Sequence, residues 1–362
     1  MRHDGAKTGR IWESCACPGK VFCHLRTRPG AGKGVDAMVM NATPLERIAC
    51  PLCGSTGYRE RYRLPDLALE RPGAFTLVEC DRCGLLYQNP RPTLEAIGAF
   101  YPPEYAPFEA PPWADPRPLR RLAHLYGLKK RWRIVERYAP PRPSRRAILD
   151  VGCATGLFLA AGSDAWEKTG VELSAHAAAY ARSRFGLRVH TGVLEDAPLE
   201  ERRFDVITMW DVLEHLHDPL GSLRRARALL RPDGVLVARV PNRAAVEARW
   251  FGESWAGFDQ PRHMFVPDRA TLTLLLERAG LRVVALPPMG GSYAMLVLSW
   301  NFWLNRRMDD GWGRRLARRV IDNLAVRLAL LPAIWFMEHH LGMGSSLTVV
   351  AQPRCERYLK PA

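Results

Sequence analysis

The chain lacks two kinds of apolar segment. No hydrophobic run reaches the eighteen or so residues of a simple membrane span, and the opening stretch MRHDGAKTGRIWESCACPGK has charge but no apolar core of an export signal. The second absence sets the expectation of a cytoplasmic protein. In a reducing compartment the nine cysteines are read as metal ligands or free thiols in preference to a disulfide framework. Acidic residues are also scarce, 37 against 52 Lys and Arg, which leaves a net charge of +15. The imbalance concentrates between Arg117 and Arg146, where Glu136 is the one acid among eleven basic residues. That run reads as a solvated helix face or linker, or as attraction to an anionic partner such as phospholipid, a nucleotide-linked substrate or nucleic acid. Apolar residues are not lacking. At 47% of 362 residues they exclude general disorder and suffice for one large domain or two modest ones.

The chain divides by composition. Residues 1–45 show no lasting period and are expected to form a disordered extension, with Met38 or Met40 as alternative starts that would make Cys15, Cys17 and Cys23 irrelevant. Residues 46–92 form a cysteine module. Residues 93–146 combine a proline-rich connector, unsuited to a regular helix or central strand, with a basic stretch expected to be helical from Leu119 to Tyr138. From Ala147 to about residue 290, strand-like runs (AILDVG, KTGVEL, LRVHTG, FDVITMW, GVLVARV) alternate with helices. One helix is opened by Ser174 and closed by Gly186, and another is expected to close at Pro232 and Gly234. The alternation predicts an α/β fold with a mostly parallel sheet flanked by helices. Residues 291–343, rich in Trp, Leu and Met beside paired arginines, read as an amphipathic helical insert, and residues 344–362 as a last strand and tail.

AILDVGCATGLFLAA places a glycine turn, Gly152 to Gly156, directly after a buried strand. Such a turn brings backbone close to a ligand at the start of a helix. Glu172 ends the next strand, 22 residues after Asp150, where a carboxylate grips ribose hydroxyls. The first strand ends in an acid and the glycine spacing is not that of a dinucleotide fingerprint, which points to a different nucleoside.

ILDVGCATG, GVELS, FDVITMWDVLEHLHDP and LRPDGVLVARVPN follow one another in the order and spacing of known motifs. The stretch from Ala147 to Gln352 resembles class I S-adenosylmethionine-dependent methyltransferases. The resemblance implies a Rossmann-like methyltransferase sheet and S-adenosylmethionine as cofactor. Asp150, Gly152, Cys153 and Gly156 would line its methionine and ribose part, Glu172 and Leu173 its ribose, Val193 and Leu194 its adenine, and Met209 and Trp210 would close the pocket. Ala154 stands where a glycine is usual, and Val193 where an acid is common, with Glu195 two places on.

A sulfonium methyl is already activated, so the protein must align a nucleophile and exclude water, with a base needed when the acceptor is protonated. Glu214, His215, His217 and Asp211 in WDVLEHLHDP, and His263 in FDQPRHMF, are the candidate base and its orienters, with His215, His263 and Glu214 placed in the catalytic role.

Cys50-x-x-Cys53 and Cys80-x-x-Cys83 are two knuckles 26 residues apart. Four thiolates make a closed tetrahedral site, so the pattern predicts structural zinc, a zinc-ribbon-like staple with no open position for substrate. CPLCGS, VECDRCGLLYQNPRP and FYPPEY resemble the zinc-binding region of bacterial methyltransferases of surface-polysaccharide and sugar pathways.

Three functions follow. The first is methyl transfer to a small-molecule or lipid-linked acceptor, such as a sugar or glycolipid, with the basic stretch and the insert resting on an anionic membrane surface or, for the insert, closing as a lid or dimer contact. The second is RNA methylation, disfavoured because aromatic residues are not interleaved with the basic run as a stacking platform requires. The third is a non-catalytic zinc-ribbon interaction protein.

Overall fold

A computed structural model describes residues 43–101 and 118–354. The expected N-terminal extension lies outside the described residues except for its last three positions, as do most of the proline-rich connector and residues 355–362.

The cysteine module contributes β1 (Leu45–Glu46), β2 (Tyr58–Leu64), β3 (Phe75–Cys80), β4 (Leu86–Gln88) and β5 (Arg91–Pro92). The basic stretch forms α1 (Pro118–Tyr138). The alternating region contributes β6 (Arg146–Val151), β7 (Trp166–Glu172), α2 (Ala175–Phe185), β8 (Arg188–Thr191), β9 (Phe204–Trp210), α3 (Pro219–Leu229) and β10 (Leu230–Pro241). After it come β11 (Phe265–Val266), α4 (Arg269–Arg278), β12 (Leu281–Ala285), α5 (Ser292–Arg307), α6 (Trp312–Asp322), α7 (Leu324–His340) and β13 (Ser346–Pro353).

Seven strands form one sheet in the order β12-β13-β10-β9-β6-β7-β8, parallel from β10 to β8, with β13 antiparallel to both of its neighbours. Burial on both faces explains the unbroken apolar runs. All seven residues of β9 are buried, Asp205 and Thr208 included. The predicted caps are in place: Ser174 Oγ accepts from Ala177 N, and Gly186 adopts φ +63° at the end of α2.

One helix boundary differs from expectation. α3 ends at Leu229, and Pro232 and Gly234 lie inside β10, in an irregularity between Leu230 and Val235. Gly234 is needed there because a Cβ would lie 2.9 Å from Phe204 O and 3.1 Å from Asp205 O. The helix after the glycine turn is a single turn, Leu157–Ala160. The indole of Trp132 occupies the space beyond it, so close that a Cβ on Gly162 would lie 2.1 Å from Trp132 Cζ2.

Trp132 belongs to α1, which is exposed from Arg121 to Tyr126 while its second half is built into the core. Trp132 stacks on Phe158 at 4.9 Å, and Ile134 and Val135 are buried beside Ile148, Leu159 and Trp166. The cysteine module is likewise not self-contained. Its sheet runs β11-β4-β3-β2, completed by a strand from far down the chain, and Leu64, Leu77 and Leu86 share one apolar cluster with Ala248, Trp255 and Phe258.

Candidate active site

The glycine turn caps β6 and is tied to β7, with Gly152 N and Cys153 N both donating to Val171 O. Gly152 and Gly156 adopt φ of +67° and +77°. A Cβ on Gly152 would lie 2.5 Å from Val212 Cγ2, and one on Gly156 2.6 Å from Leu187 Cδ1. The protein's own packing therefore requires both glycines, whatever else lies against the turn. Cys153 turns its thiol into the core, against Gly170, and offers only backbone to the turn.

Glu172, at the carboxyl end of β7, is held by two backbone amides. Ala154 N donates to Oε2 and Ser174 N to Oε1, each at 2.8 Å. Burial raises its pKa, against the lowering effect of the Ser174, Ala154 and Leu173 amides. Each carboxylate oxygen keeps a lone pair for a further donor, so the group can accept two hydroxyls at once. Asp150, buried at the end of β6, accepts from Thr208 Oγ1 at 2.6 Å, and burial pushes its pKa up to about 7.

Leu173 is exposed beside this pair, Val193 is half-buried and Leu194 buried. Glu195 is engaged elsewhere, accepting from Ser222 Oγ at the start of α3. Met209 is fully enclosed. Trp210 is nearly so, and its indole N–H finds no partner among the described residues.

Arg131 of α1 completes this edge, and nothing in the sequence singles it out from the basic run. Its guanidinium lies 5.3 Å from the Trp210 ring centre and 3.6 Å from Asp211 Oδ2, while Arg239 Nε lies 3.4 Å from Asp211 Oδ1.

At the carboxyl end of β9 the chain brings Glu214, His215 and His263 together, with one ligating atom from each inside a 4.8 Å circle. Met264 N donates to Glu214 O, which carries His263 beside His215, and the two rings meet edge to face at 4.6 Å. His263 Nδ1 lies 2.9 Å from Gly257 O and must carry the proton, leaving Nε2 as acceptor. His215 Nδ1 lies 3.0 Å from Arg262 O and 2.9 Å from the hydroxyl of Tyr101. Burial and the neighbouring His263 push the His215 pKa down to about 3. Burial also lowers that of His263, so both rings are neutral near pH 7. Glu214 is shifted the other way, raised well above the carboxylate range by burial and by Asp211, and its Oε2 has no partner among the described residues. His217 does not join the group: its Nε2 lies 3.1 Å from Pro92 O, against the cysteine module.

The four module cysteines converge. Cys50 Sγ lies 3.6 Å from Cys83 Sγ, and Cys53 Sγ 3.4 Å from Cys80 Sγ. Gly54 N donates to Cys50 O and Gly84 N to Cys80 O, so the two knuckles repeat one turn.

Residues 116–286 match a family model described as a methyltransferase domain. The chain is 30% identical over 212 residues to a ubiquinone biosynthesis O-methyltransferase of Dinoroseobacter shibae, covering 50% of this chain and 82% of that protein. It is 31% identical over 142 residues to the Haemophilus ducreyi protein of the same name, covering 36% of this chain and 59% of that one. The chain thus spans about three fifths of that second relative. Among solved structures, an S-adenosylmethionine-dependent methyltransferase of Mesorhizobium loti is similar at a TM-score of 0.40 and 16% identity, over 62% of this chain and 99% of the other.

Proposed function

The chain belongs to the class I S-adenosylmethionine-dependent methyltransferases, and we propose that it methylates a hydroxyl of a small-molecule acceptor, with one imidazole of the Glu214, His215 and His263 group receiving the proton and the others orienting it. The residues at the sheet edge suit the cofactor. Glu172 has the free lone pairs for a diol, Asp150 is a buried carboxylate that lacks a full counter-charge, and Arg131 is a cation placed for a carboxylate. The indole N–H of Trp210, without a partner among the described residues, is a further donor. The bound cofactor supplies an activated methyl on sulfur. This chain's part is to hold it, to align the acceptor oxygen and to remove that oxygen's proton.

One observation carries the reading. The two neutral imidazoles and the Glu214 carboxyl, whose Oε2 has no partner among the described residues, sit at the same carboxyl edge of the parallel strands as Glu172. Relatives named for O-methylation in ubiquinone biosynthesis support oxygen as the methylated atom. The likeness of the cysteine module to sugar-pathway methyltransferases supports a saccharide or glycolipid acceptor. Four thiolates around a 2.3 Å zinc bond would stand about 3.8 Å apart, close to the sulfur spacings found, so zinc is proposed as the module's structural ion.

The test uses cofactor carrying a labelled methyl and fractionated cell extract. Label should enter a saccharide or lipid fraction as an ether. Glu172→Ala should lose cofactor binding, whereas His215→Asn, His263→Asn and Glu214→Gln should keep it and lose about 10²- to 10⁴-fold in turnover. Label in RNA, or full turnover in all three proton-site variants, would overturn the proposal.

A further inference from the structure

The helices between β12 and β13 carry two apolar stripes that none of the described residues covers. α5 lies on the core, with Ser299, Phe302 and Leu304 buried and Ser299 Oγ accepting from Ala256 N at 3.0 Å. α6 and α7 both pack on α5. Trp300 Nε1 donates to Ala317 O, the Tyr293 hydroxyl to Ile321 O, and Ser292 N to Glu338 Oε1. These contacts fix the inward faces. The outward face of α6 carries Trp312, 76% exposed, with Leu316 and Val320 following at four-residue steps. α7 repeats the pattern with exposed Leu324, Leu328, Leu331 and Trp335, again along one stripe.

Charge borders the first stripe. Exposed Arg315 and Arg319 are one helical turn on from Trp312 and Leu316, respectively, while Arg314 turns to Asp310 and Arg318 to Asn305. Neither helix is long and apolar enough to cross a bilayer alone, and the pair is bent by 57° at its junction.

We propose that α6 and α7 dock this protein on the surface of an anionic phospholipid bilayer, lying in the interface with the Leu and Val side chains among the acyl chains. Tryptophans on both helices suit headgroup depth, and arginines beside the stripe meet phosphate. A second copy placed on the same face would set Arg315 and Arg319 against a surface of like charge. A nucleic acid would leave the leucines in water.

The experiment is co-sedimentation of the full chain with phosphatidylglycerol or phosphatidylcholine vesicles. Binding should favour phosphatidylglycerol and weaken as salt rises. Arg315→Gln with Arg319→Gln should lower the partition coefficient about thirtyfold. Leu316→Glu with Leu328→Glu should abolish binding while cofactor affinity stays unchanged, which shows that the variant is folded. Failure of the unaltered protein to bind phosphatidylglycerol vesicles would overturn the proposal. So would undiminished binding by the double glutamate variant, or a dimer in light scattering that this variant dissolves.

Discussion

Arg262 and Asp66, 196 positions apart in the chain, are both fully buried and joined by two hydrogen bonds of 2.8 and 3.0 Å. The same guanidinium makes two more bonds to Asp259, and the Arg262 carbonyl faces His215 Nδ1. Burial opposes ionisation of Asp259, but the adjoining Arg262 holds its carboxyl below the usual range. The cysteine module therefore positions the histidine pair through a buried ion pair. Asp66→Ala leaves a buried cation short of a partner and should cost about 3–5 kcal/mol of stability. Below the melting point, turnover should fall far more than cofactor affinity. Thermal unfolding together with separate kcat and cofactor-binding measurements checks this, and equal loss of both would refute the positioning role.

With the cofactor against Asp150 as proposed, its binding should depend on pH. Its folded pKa of about 7 lies above the value of about 3.9 expected in the unfolded chain. Protonation therefore favours the folded state: its stabilising contribution is complete below about pH 4 and is lost as pH rises through 7. A cationic ligand favours the ionised form, so its binding should release a proton below pH 7 and tighten as pH rises. Calorimetry at pH 6 and pH 8, in buffers of different ionisation heat, measures that proton. Asp150→Asn should abolish the release, and an unchanged release would assign it to another group.

Ala154 holds a left-handed backbone at φ +46° while its amide braces Glu172. An alanine there costs about 1–2 kcal/mol, part of which glycine returns through its freer unfolded chain. Ala154→Gly should raise stability by roughly 0.5–1 kcal/mol with cofactor affinity unchanged. A lower melting temperature would contradict this.

The four-cysteine site predicts one zinc per chain by elemental analysis, and none in Cys50→Ser with Cys80→Ser. Cys80 ends β3, and β3, β4 and β11 share one sheet with the segment that carries His263. Stripping the metal should therefore lower the melting temperature and abolish turnover. Purified protein without metal that keeps full activity would remove zinc from the scheme.

The parts legible in the sequence are those carried by short-range pattern. Apolar runs of strand length gave the buried parallel sheet, and Ser174 and Gly186 gave the ends of α2. The Asp150 to Glu172 spacing marked two strand ends at one edge, and the paired cysteine knuckles marked a converging cluster. The error falls where neighbours override local signals. Pro232 and Gly234 look like a helix stop but form an irregularity at the start of β10, where a Cβ on Gly234 would lie within 3 Å of the Phe204 carbonyl oxygen. A helix after the glycine turn is expected without a length, and the Trp132 indole leaves room for a single turn.

Chemistry that needs side chains from distant segments was decided by tertiary structure alone. Arg131 is indistinguishable from its basic neighbours until α1 packs and turns it toward Asp211 and Trp210. Tyr101 meets His215 across 114 positions, and Asp66 meets Arg262 across 196. Periodicity and motif spacing record how a residue relates to the next turn or strand. They carry no record of which remote side chain will share its desolvated space, and here that partner sets the charge and aim of the groups proposed to act.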